Sequence, residues 1–344
     1  MRGLVCALLA GLLAMAGSLV AAAQDQPASS ASATEDSEAF LIEAYPKDIA
    51  QRVGRQAEAL DRDRLTGGKL TRGVYSSFLV WPPTLARINV CFFGGEPELR
   101  RKVVAIASEW TRVGGHVPLH FGDDPKSPQS CTGQGQREHI RVGFERDGTI
   151  WSAVGQQSMR GSLFPRDRPS MNLGFKSTLG ETKIRRAILH EFGHALGLEH
   201  EHQSPQGKCW PDEFERERLV AYVRDNLGWG ESDVRRNLAL LDQKGVLATE
   251  FDKVSVMIYA FPARFYKRKE ASPCFATERP EISPGDRKLI AALYPADAAA
   301  RERVRAERKG FWDRLMAAVP ANRTRSLDGR GIGQIVQEYL GAER

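Results

Sequence analysis

Long apolar runs are nearly absent from this chain of 344 residues. Past Val20 no stretch approaches the roughly 20 consecutive apolar residues that a membrane-spanning helix requires, so stable insertion in a bilayer is not expected. Cysteine is scarce, five residues in all, and no two form the close C-x-x-C pair of a structural zinc site. Internal repeats and glycine-rich calcium-binding repeats are missing as well. Neither sign of charge dominates: 49 basic residues stand against 43 acidic ones, for a net charge of +6, and the two signs are interspersed. With no recognisable nucleic-acid module, that pattern reads as a solvated surface, and nucleic acid is not an expected partner. Histidine is rare too, seven residues, which makes its distribution informative.

What is present begins with a targeting segment. Arg2 leads an apolar stretch from Leu4 to Val20 that ends in Ala21-Ala22-Ala23 before the polar Gln24, the pattern of a secretory signal peptide over residues 1–23. An exported protein, extracellular or periplasmic, is therefore expected. Four cysteines remain, Cys91, Cys131, Cys209 and Cys274, and an even count in an exported chain suggests two disulfides. Of the three pairings open to them, Cys91 with Cys131 and Cys209 with Cys274 keep each bridge within one half of the fold. Residues 24–37 are rich in Ala, Ser and acidic residues and lack a core pattern. Charged helical patterning over 40–75 and the turn Gly67-Gly68 follow, so 24–78 reads as a linker and candidate pro-segment. Residues 79–295 hold the globular domain, and 296–344 form a helical, Arg-rich basic tail.

Four of the seven histidines fall within the run His190-Glu191-Phe192-Gly193-His194-Ala195-Leu196-Gly197-Leu198-Glu199-His200-Glu201-His202. Histidines four apart share one face of a helix, so His190 and His194 can converge on a single ion. Zinc takes imidazole nitrogens at about 2.0–2.1 Å, and a catalytic site uses three protein ligands with one position left open. Gly197 can adopt the left-handed conformation that ends a helix and reverses the chain, returning His200 as the third ligand. Glu191 is then a base and not a ligand, positioned to take a proton from water whose pKa the ion lowers to about 7. One catalytic Zn²⁺ is the expected cofactor. Thr178 and Glu181 stand three apart as a capping box, and Ile184, Ile188 and Phe192 recur as a core-facing stripe, which predicts a helix over 179–196. Upstream, the pattern predicts an amphipathic helix over 98–113 and strands near 117–121, 140–144 and 171–175.

With these residues in view, the sequence resembles the metzincin metallopeptidases and, within them, the astacin family. Glu201 after the third histidine, the continuation His202-Gln203-Ser204-Pro205, and Ser255-Val256-Met257-Ile258-Tyr259 as a methionine turn carry the likeness. Two positions depart from the family pattern: Ser204 stands where arginine is usual and Ile258 where histidine is. The resemblance implies an α+β metzincin-like domain, its mixed twisted sheet bearing an antiparallel edge strand and its two subdomains separated by the active-site cleft. It further implies that Met257 floors the imidazoles and that Tyr259 is an outer ligand able to stabilise the oxyanion. Glu201 would pair with the amino terminus freed when a pro-segment is cut, a cut for which Arg72 is a candidate. Ser170 to Phe175 resembles the edge strand above the cleft, so Asn172, Leu173, Gly174 and Phe175 are expected to bind an extended peptide.

A secreted zinc endopeptidase acting on proteins or peptides is the leading reading. Two rivals are weighed beside it: a thermolysin-like peptidase with an acidic third ligand such as Glu213, and a secreted binding protein that keeps the fold without turnover. Retention of Glu191 and all three histidines argues against the second, and His200 against the first. Oligomeric state and substrate preference are not written in any motif.

Overall fold

The computed structural model describes residues 43–65, 79–124, 126–132, 138–145, 148–241 and 249–317. The expected signal peptide, Gly67-Gly68, Arg72 and the tail beyond 317 lie outside the described residues. Contacts divide the chain into Met1–Ala39 and Phe40–Arg344, and everything below belongs to the second unit.

Five strands form one sheet in the order β2-β1-β3-β5-β4: β1 (Ile88–Phe92), β2 (Leu119–His120), β3 (Ile140–Gly143), β4 (Ile150–Ser152) and β5 (Met171–Leu173). All neighbours are parallel except β4, which runs antiparallel to β5 with Trp151 opposite Asn172. The antiparallel edge strand expected from the resemblance is therefore present, but it is Ile150–Ser152. The 171–175 segment expected at the edge lies inside the sheet, paired on both sides, and regular pairing stops at Leu173. Three residues are too short for alternation to be visible, which hid β4 in the sequence.

Helices α1 (Lys47–Leu65), α2 (Pro97–Ala107) and α3 (Glu181–Ala195) belong with this sheet. The expected 98–113 helix is α2 continued by a 3-10 segment, Ser108–Arg112. The capping box at Thr178 is not formed: Gly180 is the N-cap of α3, and the Glu181 carboxylate instead receives Lys102 Nζ at 2.9 Å. The stripe prediction holds, since Ile188 and Phe192 are wholly buried with Val90, Phe92, Val142 and Trp110, and Ile184 is partly buried against the same core. The carbonyls that a helix C-terminus leaves unpaired are claimed from outside. Trp81 Nε1 donates to Ala195 O at 2.8 Å and Tyr294 Oη to Leu196 O at 2.6 Å.

After α3 come α4 (Arg216–Leu227), α5 (Glu231–Leu238), α6 (Pro284–Leu293) and α7 (Ala298–Ala317). A second core of Phe214, Leu219, Val223, Phe261, Phe265 and Tyr266 gathers here, with Tyr259 at its border. Ser283 caps α6: its hydroxyl accepts from Asp286 N, and Asp286 Oδ2 accepts from Ser283 N at 2.9 Å. Both disulfides pair as expected, Cys91 with Cys131 and Cys209 with Cys274, one in each half. The first part of the tail docks, because Arg308 donates to Trp81 O at 2.9 Å and Leu293 O at 2.8 Å.

Candidate active site

The last turns of α3 and the reversal after it bring three imidazoles together. Gly197 has φ +95°, its N–H donates to His194 O at 2.7 Å, and Leu198 N–H reaches back to Gly193 O at 3.0 Å. A side chain at Gly197 would also crowd the Val80 backbone, with an added Cβ 3.0 Å from Val80 Cα. Two causes, the left-handed φ and the close approach, therefore demand glycine here. The turn returns His200 to His190 and His194, and all three are buried.

Each ring is held by its far nitrogen. His190 Nδ1 donates to Val256 O at 2.7 Å, His194 Nδ1 to Leu198 O at 2.7 Å, and His200 Nδ1 to Gln203 Oε1 at 3.2 Å. Those bonds select one tautomer and leave each Nε2 lone pair pointing inward. His194 Nε2 stands 3.2 Å from both His190 Nε2 and His200 Nε2. Nitrogens about 2.0–2.1 Å from one tetrahedral zinc would be about 3.3 Å apart, so the cluster has the dimensions of a single-ion site. Burial lowers the pKa of His190 and His200 to about 4, which keeps them neutral and able to bind a cation.

A fourth donor completes the cluster, and it comes from outside the motif. Glu43 Oε1 lies 3.1, 2.6 and 3.3 Å from the Nε2 atoms of His190, His194 and His200. Burial alone would push this carboxyl up, but His194, His200 and its bond to His190 hold it well below the usual carboxylate range. The same charge turns His194 upward against the effect of burial. Glu43, His190, His194 and His200 could together hold a metal ion, and Glu213 is not among them. Glu213 instead meets Arg268 and the Ser272 hydroxyl, so the acidic third ligand of the thermolysin-like rival is not supported.

No protein-family model matches this chain, and no curated protein does. Solved structures do. One of myroilysin aligns at 27% identity over 65% of this chain and 98% of its own, with a TM-score of 0.52. The fold is astacin-like. A second myroilysin structure aligns at 25% identity over 63% of this chain and 89% of its own, with a TM-score of 0.42. High choriolytic enzyme 1, a hatching enzyme zinc-protease from Oryzias latipes (Medaka fish), aligns at 18% identity over 64% and 97%, with a TM-score of 0.37.

Around the imidazoles of this astacin-like domain, the other expected residues take definite positions. Glu191 is buried beside His190 on α3, and its Oε2 has no hydrogen-bond partner among the described residues. Burial, and then the Glu43 charge, raise its pKa well above the ordinary range. Tyr259 stacks on the His190 ring at a centroid distance of 5.9 Å and lies tilted against the His200 ring at 4.2 Å, and its hydroxyl accepts from Glu43 N at 3.4 Å. Met257 packs against Gly193, where an added Cβ would stand 2.3 Å from its Sδ. Glu201 Oε1 accepts from Asp252 N at 2.9 Å, and burial next to Asp286 and Asp252 raises the carboxyl to about 8.

The expected peptide-binding run is not on the cleft edge. Asn172 is committed inward, its Oδ1 accepting from Glu145 N at 2.8 Å and its Nδ2 donating to Thr149 O at 2.9 Å. Leu173 pairs with Ile150, and Gly174 N–H donates to Thr149 O, so these residues hold the edge strand and do not themselves form it. Phe175 N–H turns back to Leu173 O, leaving the strand direction altogether.

Three residues at the site carry no role in the sequence reading. Gln203 positions His200, and its own Nε2 donates to Arg236 O at 2.7 Å and Ala239 O at 2.9 Å. Arg186, one turn before His190, is buried in the pocket lined by Glu43, Ile150, Glu191 and Tyr259, and donates to Ile258 O. Glu43 had a faint signal, a lone carboxylate among Leu41, Ile42, Ala44 and Tyr45 just ahead of Pro46. An acid in such company is costly to bury without a cationic partner.

Proposed function

We propose that this protein is an exported zinc endopeptidase made as a latent chain. One observation carries the reading: three buried Nε2 atoms at single-ion spacing, every one oriented by a hydrogen bond from its other nitrogen. His190, His194 and His200 would hold the ion, and bound there it would supply Lewis acidity, polarising a peptide carbonyl and acidifying a water. Glu191, its Oε2 unclaimed, takes the proton from the attacking water and delivers it to the leaving amine. Tyr259, whose phenol burial and the neighbouring carboxylates keep protonated, donates to the developing oxyanion. Two disulfides suit an oxidising compartment and support export.

Latency follows from Glu43. Its carboxylate occupies the position at the three imidazoles that water and a substrate carbonyl need. Residues 24–78 then act as a pro-segment, and removing it opens the site and frees Glu201 to receive a new amino terminus. Zinc-loaded full-length protein should hydrolyse casein slowly, and Glu43→Ala should speed it by about two orders of magnitude or more. Adding Glu191→Ala should silence that variant while atomic absorption still finds one zinc per chain. A zinc-loaded Glu43→Ala protein inert on casein and on a broad peptide library would overturn the enzyme assignment. Equal rates with and without Glu43 would overturn latency alone.

A further inference from the structure

The residues that precede α1 lie where an extended peptide would lie, and the slot filled by their aromatic side chain has walls of its own. Ala44 N–H donates to Ile150 O at 3.3 Å, along the edge strand β4. One residue on, the Tyr45 ring meets Trp151 edge-on at 5.6 Å and Phe164 at 6.0 Å. The Arg236 guanidinium, from α5 on the other side of the cleft, stands 4.9 Å over the ring. The phenol hydroxyl donates to Ser152 O at 2.6 Å.

We infer that Trp151, Phe164, Arg236 and the Ser152 carbonyl form a specificity subsite for an aromatic residue of the substrate, tyrosine above all. The inference rests on the endopeptidase reading. Each wall contributes selectivity of its own. Aromatic edges favour a flat ring, a cation over the face favours a π-system, and a buried carbonyl requires a donor. Leucine satisfies none of the last two, phenylalanine lacks only the donor, and a carboxylate would be stripped of water beside a carbonyl oxygen. The slot does not depend on Tyr45 for its shape. Arg141, wholly buried, donates to Ser158 O and Arg168 O at 2.9 Å each and to Phe164 O at 3.3 Å, pinning the loop that presents Phe164. Trp151 Nε1 is also buried with no acceptor among the described residues, a donor that a substrate chain can use. Because Tyr45 is two residues from Glu43, a substrate aromatic within about two positions of the scissile bond reaches the slot.

Full-length, zinc-loaded chain carrying Glu43→Ala and Tyr45→Ala clears the carboxylate from the imidazoles and the ring from the slot, leaving only the 43–46 backbone for a substrate to displace. Quenched peptides alike except at one position, scanned over Tyr, Phe, Leu, Ala and Glu at the two residues on each side of the cleaved bond, are compared by kcat/KM. At one position Tyr should exceed Ala by about tenfold or more and Leu by about threefold or more. Adding Arg236→Gln, or separately Trp151→Leu, should bring the Tyr-to-Ala ratio below about threefold, and a melting curve for each shows which variant is folded and decisive. Turnover with flat profiles at every position, or a tyrosine preference untouched by both substitutions, overturns the subsite and leaves the peptidase standing. Absence of turnover on every peptide with zinc bound overturns both.

Discussion

At the scale of single residues, the chemistry of this protein is decided by which nitrogen or oxygen of a buried group is already spoken for. The three site histidines each lose Nδ1 to a carbonyl or amide oxygen, and that choice, not the presence of histidine, leaves three Nε2 lone pairs that could hold a metal ion. His139 is the counter-example. Its Nδ1 accepts from Asn89 N at 2.9 Å, so it must stay neutral, and burial followed by the nearby Arg166 charge lowers its pKa to about 4 from 6.5. The unfolded chain takes up that proton near 6.5 and the folded chain does not, so stability present above that value is lost as pH falls from 6.5 toward 4. The loss is on the order of 3 kcal/mol for this one group. His139→Asn keeps an acceptor that does not titrate, and its melting temperature should fall less steeply than that of the wild type across that window. Parallel curves would remove His139 as the cause. The convergence of the three imidazoles was legible in the sequence because they are close along it. Glu43 was not, since it reaches His190 across 147 positions and no local pattern encodes such a contact.

Among elements, α3 carries two of the three clustered imidazoles and β4 forms the antiparallel edge of the sheet. Helix periodicity made α3 readable almost to its ends, while its N-cap is Gly180 and the Glu181 carboxylate meets Lys102. Strand β4 escaped notice and β5 was given its role. Only the sheet order distinguishes the two, because both are short and fully buried. Within α3, Gly193 is a packing requirement: a Cβ there would meet Met257 Sδ at 2.3 Å and Trp110 Cζ2 at 3.3 Å. Gly193→Ala should therefore cost about 1–3 kcal/mol by overpacking and weaken zinc retention as the methionine turn shifts. Met257→Ala combined with it should recover part of the loss, read as non-additivity in thermal or denaturant melts. A neutral Gly193→Ala would show that the thioether moves aside freely.

Over the whole molecule, two cores face each other and the site joins them. His190 and His194 belong to the sheet-backed half, whereas Tyr259 borders the second core, which the Cys209–Cys274 bridge closes over a separation of 65 residues. In the chain-entropy account a loop of that length is worth about 4 kcal/mol. Replacing both cysteines with alanine should lower the melting temperature, and hydrogen exchange should rise first over residues 209–274, with α3 and the sheet still protected. Uniform loss of protection would mean that the halves do not open separately. Among the described residues, no helix is long and apolar enough to cross a membrane.

The amino-acid sequence by itself determined the convergence of three imidazoles, the carboxylate beside them and the glycine that turns the chain, because helical spacing and one left-handed residue are local properties. The even cysteine count pointed to two disulfides, and the family resemblance implied two subdomains. Only the tertiary structure decided which strand is the edge, what orients each imidazole, and that Glu43 and Tyr45 lie in the cleft. Those depend on side chains meeting across long stretches of chain, where burial and charge set the partner and sequence distance says nothing about it.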